Sequence, residues 1–248
     1  MKLRFLVAAT ASLFLSYPAS AAEIKVLASG ATKEVYLELI PQFEQSSGNK
    51  AVATWSGTAD IKKRIAAGEV YDVVIASAPD IDGFIQQGKM VSGSRINLMK
   101  SGVGVAVRAG APKPDISSSE ALKKTLLAAK SIGYSTGPSG VYVMSLLERM
   151  GIADQVKSKL KQTPSGVRIG TIITSGEAEI GFHQVSELIH EPGVDYIGPL
   201  PADIQKITVF SAGIHSGATQ PEAAKELVKA LTGTVAAPVI KKHGMEPG

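Results

Sequence analysis

The 248-residue chain contains no cysteine. Disulfides therefore cannot stabilise it, and it offers neither a thiol nucleophile nor the acylated cysteine that anchors a lipoprotein. The fold must be held together by its hydrophobic core. About 225 residues beyond a leader are enough for one large domain or for two lobes.

Long apolar runs are absent after the first two dozen residues, so no later segment is predicted to cross a membrane. The start of the chain has a basic segment at 1–4, a short apolar run at 5–15 and small residues at 19–21. These are the three parts of a secretory signal peptide. We predict a cleaved signal peptide over residues 1–21, with a buried first helix as the alternative. The mature protein is then expected in the periplasm, soluble and without a lipid anchor.

The net charge is also small, because the chain has 26 lysines and arginines and 22 aspartates and glutamates. Lys2 and Arg4 lie in the predicted leader, which leaves the mature chain with a net charge of about +2. So small an excess argues against a nucleic-acid partner. It is compatible with a small anionic ligand.

Apolar runs alternate with helical patterns along the mature chain, which predicts a parallel, doubly wound α/β sheet. The predicted strands of the first half cover residues 24–28, 52–55, 72–76 and 102–107. A stretch rich in proline and glycine follows at 110–114, after which the alternation restarts. We predict a first lobe over 22–105 and 207–248 and a second lobe over 106–206. The ligand cleft is expected between the two lobes, at the carboxyl ends of the strands.

Four strand-to-helix junctions share small, hydroxyl-bearing residues and lack acidic side chains. They are residues 28–32, 56–58, 136–140 and 163–168. The first N–H groups of a helix have no intrahelical partner, the helix dipole adds about half a positive charge there, and glycine allows close approach. Four such junctions predict an anion site made of neutral donors. Any one of them alone could be an ordinary helix N-cap.

The segments "LASGATKEV", "TWSGTADIKKRIAAGEVYDVVIAS", "GPSGVYVMSLLERMGI" and "GVRIGTIITSGEAEIGF" carry a family resemblance. In order and spacing they resemble the molybdate-binding periplasmic proteins of ABC importers, over nearly the whole mature chain. The resemblance implies the two-lobed, type II periplasmic binding-protein fold of the α/β class. Each lobe would be a mostly parallel sheet flanked by helices, and the lobes would close on a tetrahedral oxyanion such as molybdate or tungstate.

The resemblance also implies a set of ligand contacts, carried over by position. They are Ser29, Ser56, Gly57, Ser139, Gly140, Val167, Arg168 and Gln184. The serine hydroxyls and the backbone N–H groups near 139, 140 and 167 would hold the anion. Whether Arg168 or Trp55 faces the cleft stays open, and a solvated arginine at a helix start is the simpler interpretation.

Gln184 departs from the family, which has a tyrosine hydroxyl at this place. A glutamine amide accepts as well as donates hydrogen bonds, so it suits a ligand with both a carboxylate and a hydroxyl. A small organic anion, such as a di- or tricarboxylate, is therefore the alternative ligand, and a sulfate-like oxyanion also stays open.

Catalytic motifs are missing from the sequence. Residues 137–140 do not form G-x-S-x-G, because Val141 stands at the position of the last glycine. No glycine-rich nucleotide fingerprint is present, and no histidine has an evident carboxylate partner at a strand end. We therefore expect no enzymatic activity and no cofactor. A periplasmic enzyme or a sensor-coupling protein on the same scaffold is the third alternative.

Histidine spacing offers one further possibility, a metal site. His183, Glu187 and His190 follow the i, i+4, i+7 spacing of one helix face, which could bind zinc, but Pro192 breaks the segment. We expect no metal site. The expected partners are a small anionic ligand and an inner-membrane ABC permease, with no nucleic acid, and the protein is expected to be a monomer.

Overall fold

The computed structural model describes residues 21–248. The predicted signal peptide therefore lies outside the described residues, apart from Ala21. Strands and helices alternate through the described part of the chain. The strands are β1 (Glu23–Ser29), β2 (Lys50–Ser56), β3 (Val73–Ser77), β4 (Ile96–Arg108), β5 (Ile132–Tyr134), β6 (Leu160–Gln162), β7 (Ile180–Gln184), β8 (Val194–Pro199), β9 (Ile207–Ile214) and β10 (Glu246–Pro247). The helices are α1 (Lys33–Ser47), α2 (Thr58–Ala66), α3 (Ala78–Gln86), α4 (Ser119–Ala128), α5 (Pro138–Arg149), α6 (Ala153–Val156), α7 (Ile169–Thr174), α8 (Val185–Leu188), α9 (Pro221–Ala230) and α10 (Ala236–Lys242).

The strands form one curled, mixed sheet in the order β2-β1-β3-β9-β4-β7-β5-β6, with β8 and β10 also paired to β4. Strand β1 runs parallel to β2 and β3, and β5 runs parallel to β6 and β7. Strand β9 pairs antiparallel with β3 and with β4. Two parallel three-strand units are thus joined through antiparallel strands.

Strand β4 belongs to both halves of this sheet. Its first part, Ile96 to Gly102, pairs with β9, and its second part, Val103 to Arg108, pairs with β7 and β8. We call the elements around β1, β2, β3 and β9 lobe 1 and those around β5 to β8 lobe 2. The residue boundaries predicted for the lobes stay a prediction.

The core lies on both faces of each half-sheet. In lobe 1, Val26 packs with helices α1, α9 and α10, while the next residue, Leu27, packs with α2 and α3 on the opposite face. A strand that is buried on both faces needs an unbroken apolar run. This is why β3 has five successive buried residues. No helix in residues 21–248 is long and apolar enough to cross a bilayer.

Asp72 is a buried carboxylate that ties β1 to the loop before α9. It accepts hydrogen bonds of 2.7–3.2 Å from the backbone of Lys25, from the backbone and hydroxyl of Thr219, and from the backbone of Gln220. Because it is only 1% exposed, water cannot replace it as an acceptor.

We expect Asp72→Ala to lower the free energy of unfolding by about 2–3 kcal/mol, since it strands several buried donors at once. Urea denaturation measures this change. Asp203→Ala, at an exposed position, is the control and should leave the midpoint in place. If the two variants had equal urea midpoints, the hydrogen bonds of Asp72 would not stabilise the fold.

Candidate functional site

A cavity of about 160 Å³ lies between the two lobes, where strands β1, β2 and β7 end. Residues from all four predicted junctions line it. Of the eight predicted ligand contacts, seven line the cavity: Ser29, Ser56, Gly57, Ser139, Val167, Arg168 and Gln184. Gly140 lies behind the wall, where a Cβ would overlap the carbonyl group of Ser135. The cavity is smaller than the pockets of drug-sized ligands, so it suits an inorganic ion or a small organic acid.

The helix starts around the cavity are not capped by their own side chains. Gly57 precedes α2, Gly137 precedes α5 and Arg168 precedes α7, and none of these positions makes a side-chain cap. Ser29, before the short turn that leads into α1, likewise makes no cap. Away from the cavity, Ser118 at α4 does accept a hydrogen bond from its own helix, at 3.1 Å. Three groups at the cavity are nevertheless used within the protein: the N–H of Val167 donates to the carbonyl of Pro164 at 3.1 Å, the N–H of Gly137 donates to Ser135 Oγ at 3.2 Å, and the Ser139 hydroxyl lies 3.3 Å from the same oxygen. The backbone contact predicted at Val167 is therefore already occupied.

The two lobes contact each other across the cavity. The hydroxyl of Ser186 in α8 donates to the backbone carbonyl of Ala31 in lobe 1, at 2.9 Å. Gly57 lies so close to the turn of lobe 2 at Ser165 and Gly166 that a Cβ on it would overlap both. The structure is therefore a closed form of the cleft.

Arg168 lines the cavity but is held by carboxylates of the protein. Its guanidinium lies 3.1 Å from Glu34 of lobe 1 and 3.3 Å from Glu191 of lobe 2. Arg168 is thus not the solvated arginine that its position at a helix start suggests. An arginine paired with both lobes favours the closed form more than it binds a ligand directly.

His183 and Glu187 form an acid–base pair in the cavity wall. His183 lies at the penultimate position of β7 and Glu187 in α8, with Nδ1 2.5 Å from Oε2. Both side chains are about nine-tenths buried, and Nδ1 also lies 3.0 Å from the backbone N of Gln184. One proton can thus pass between the imidazole and the carboxylate. The expectation that no histidine has a carboxylate partner at a strand end is therefore wrong.

Charged groups also line the cavity, which corrects the expectation of neutral donors alone. Lys33, Arg168 and Glu187 are among the lining residues. Sequence reasoning missed Lys33, because a lysine at the first position of a helix looks like an ordinary solvated residue. Trp55 lines the cavity as well and packs edge-on against Tyr36, with ring centroids 5.2 Å apart. The single tryptophan is therefore placed to report on the cleft by fluorescence.

Gln184 is buried at the cavity, with 1% of its surface exposed. Its Nε2 donates to the hydroxyl of Thr208 at 3.1 Å, while Oε1 has no partner within the described residues. A buried acceptor without a donor costs about 1–3 kcal/mol. The amide is thus positioned by the protein on one side and left free for a ligand on the other.

The histidine spacing considered for zinc does not assemble a metal site. His190 lies away from His183 and contacts His243 instead, with ring nitrogens 2.9 Å apart. Within residues 21–248, no group of three or more metal-ligating side chains comes together. His243 also contacts Glu38 of α1 at 2.7 Å, so these histidines join the turn after α8 to lobe 1.

The His190 contact predicts a pH dependence of stability. Burial lowers the pKa of His190 below 6.5, and the neighbouring His243 lowers this pKa further. Burial also lowers the pKa of His215, with Lys89 adding to the effect. A histidine with a lowered pKa binds its proton more weakly in the folded than in the unfolded state, so stability is lost as the pH falls below about 6.5.

We expect the melting temperature to fall between about pH 7.5 and 5.5, and His190→Gln to make this fall shallower. His215 remains in that variant, so part of the fall should persist. Thermal unfolding followed by circular dichroism at several pH values measures both. If the melting temperature of His190→Gln depended on pH as steeply as that of the original protein, the prediction would be wrong.

Comparison with known proteins gives the family. Residues 24–246 match the bacterial extracellular solute-binding protein family. The chain belongs to this family. It is 36% identical to an aconitate isomerase of a Pseudomonas species, over 96% of this chain and 94% of that protein. It is 27% identical to the molybdate-binding protein ModA of Azotobacter vinelandii, over 96% of each.

A solved structure supports the fold. The periplasmic molybdate-binding protein of Azotobacter vinelandii superposes with a TM-score of 0.77 at 21% identity, covering 91% of this chain and 99% of that one. The predicted two-lobed α/β fold and the resemblance to molybdate-binding proteins are confirmed.

The expectation of no enzymatic activity is corrected by the Pseudomonas relative. That protein is named as an isomerase, and the two chains align over almost their full lengths. The correction has a physical basis, because proton transfer requires only one well-placed acid–base group. His183 and Glu187 provide such a pair without any sequence motif for nucleophilic catalysis.

Proposed function

We propose that this protein binds a small tricarboxylate of the aconitate class in the closed cleft and isomerises it by moving a proton. The observation that carries the proposal is the His183–Glu187 pair, 2.5 Å apart, in the wall of a cavity lined by hydrogen-bond donors. The 36% identity to an aconitate isomerase supports it. The replacement of a tyrosine by Gln184 fits an organic anion better than a bare oxyanion.

The reaction needs no cofactor. Aconitate is a propene with one carboxylate on each carbon, so a CH₂ group and a CH= group flank the central carbon. Removal of a CH₂ proton gives an allyl carbanion that is delocalised over both outer carbons and their carboxylates. Return of the proton to the other outer carbon moves the double bond and can change its geometry. Atoms and charge balance, and no oxidant or reductant is required.

The residues of the cavity supply what this reaction requires. The His183–Glu187 pair takes the proton and gives it back, as a general acid–base that holds one exchangeable proton. The hydroxyls of Ser29, Ser56 and Ser139 and the uncapped helix starts stabilise the charge that moves onto the carboxylates in the carbanion. Closure of the lobes excludes water, which strengthens these contacts and protects the carbanion.

Proton NMR on the purified mature protein tests the proposal. With trans-aconitate in D₂O, we expect the cis isomer to appear and deuterium to enter at the outer carbons. Isothermal calorimetry should show binding of the same acid. Binding without isomerisation or deuterium exchange would remove the catalytic claim, and absence of binding would remove the ligand class.

A receptor for a tetrahedral oxyanion is the second candidate. The uncapped helix starts favour it, since neutral donors suffice to bind such ions, and so does the 27% identity to a molybdate-binding protein. An ABC permease would then be the partner and the periplasm the location. Calorimetric titration with molybdate, tungstate and sulfate decides between the candidates: micromolar binding of one of them, with none for aconitate, would favour the receptor.

A further inference from the structure

Lys33 is placed against the local preference of its helix. It is the first residue of α1, where a positive charge meets the positive end of the helix dipole and is unfavourable. The next residue, Glu34, is the acidic residue that the helix dipole favours in this first turn. Local helix preference therefore does not account for a lysine at this position.

The surroundings of Lys33 leave its charge uncompensated. It lines the cavity, and within residues 21–248 it takes part in no ion pair. The other cationic side chain of the wall, Arg168, is by contrast held by Glu34 and Glu191. Lys33 is thus the cation of the cavity that remains for a ligand.

An independent observation shows that the same cavity is built for a ligand. Gln184 is 1% exposed and lines the cavity, and its Oε1 has no partner among the described residues while Nε2 is held by Thr208. A polar atom so deeply buried requires a hydrogen-bonding group to face it. The cavity therefore offers a ligand both a positive charge and a neutral amide.

We propose that Lys33 binds one carboxylate of the ligand and thereby selects polycarboxylates over compact oxyanions. This inference rests on the proposed function. A tetrahedral oxyanion is compact enough to be surrounded by the helix-start donors alone. A tricarboxylate spreads its charge over several carbons, so one carboxylate extends beyond those donors and pairs with Lys33.

Calorimetry with propane-1,2,3-tricarboxylate tests the inference, because this saturated acid has three carboxylates and cannot be isomerised. We expect Lys33→Met to weaken its binding by about 10–100-fold, the value of a charge-assisted contact. Lys33→Arg should keep most of the affinity. Molybdate binding should weaken less than tricarboxylate binding in Lys33→Met, because the helix-start donors surround a compact ion. Lys63, one of two exposed lysines of α2, gives the matched control, Lys63→Met, which should bind like the original protein.

The outcomes separate this inference from the proposed function. If the original protein binds the tricarboxylate and Lys33→Met binds it equally well, the role of Lys33 is overturned while the function stands. If the original protein binds no tricarboxylate, both are overturned. Lys33→Gln, with its melting temperature measured, serves as a second variant, so that a folding defect in Lys33→Met cannot be mistaken for lost binding.

Discussion

Glu187→Gln should lower the isomerisation rate by about 10²–10⁴-fold and leave the affinity for a tricarboxylate within about threefold. Glutamine keeps the size of the side chain but cannot exchange a proton with His183, from which Glu187 is 2.5 Å away. The loss therefore belongs to the proton-transfer step and appears in kcat, with little change in binding. Conversion of trans-aconitate followed by NMR gives the rate, and calorimetry gives the affinity.

Two further variants make this test sharper. His183→Asn should cost about as much as Glu187→Gln, and the double variant should be no slower than either, because the two residues act as one unit. Glu148→Gln, at an exposed position of α5, is the control and should retain full activity. A rate within tenfold of the original in Glu187→Gln would remove the pair from the mechanism.

Gly57→Ala should weaken ligand binding by about 100-fold or more without destabilising the unliganded protein. A Cβ on Gly57 would overlap the backbone N of Gly166 and Oγ of Ser165, which lie in the opposite lobe. The backbone of Gly57 has φ −76°, a value that alanine adopts without strain. The substitution therefore penalises only the closed form, and the measured affinity falls with the fraction of molecules that can close.

Calorimetry and the fluorescence of Trp55 measure the two parts of this effect. The ligand-induced change in fluorescence should be lost or reduced in Gly57→Ala, while the melting temperature without ligand stays the same. Gly83→Ala, in α3 with open space around the new methyl group, is the matched control. Unchanged affinity in Gly57→Ala would show that binding does not require this closed contact.

The first lobe could be predicted from sequence because its strands are buried on both faces. A run such as Val73 to Ala76 has no polar residue, and the helices between the strands keep one apolar stripe. The first part of β4, Ile96 to Ser101, was missed, since exposed and buried residues are mixed there. The four-residue helix α8 is too short to show a period at all.

The site could be predicted only where its chemistry is local. Ser29, Ser56 and Ser139 line the cavity, and each belongs to a junction whose composition is visible in the sequence. The contact of Arg168 with Glu34 joins residues 134 positions apart, so it exists only in the folded chain. The His183–Glu187 pair was visible as a spacing of four but suggested zinc, because the sequence does not show that a strand ends between them.

Strand β4 passes through both lobes, and this sharing governs how the molecule comes apart. If lobe 2 unfolded alone, the second half of β4 would lose its pairing with β7. The first half of β4, which pairs with β9 in lobe 1, would then no longer continue into an ordered strand. The reverse holds for lobe 1, so neither half is an autonomous folding unit. The connectivity therefore predicts that the two lobes unfold together, in one cooperative transition.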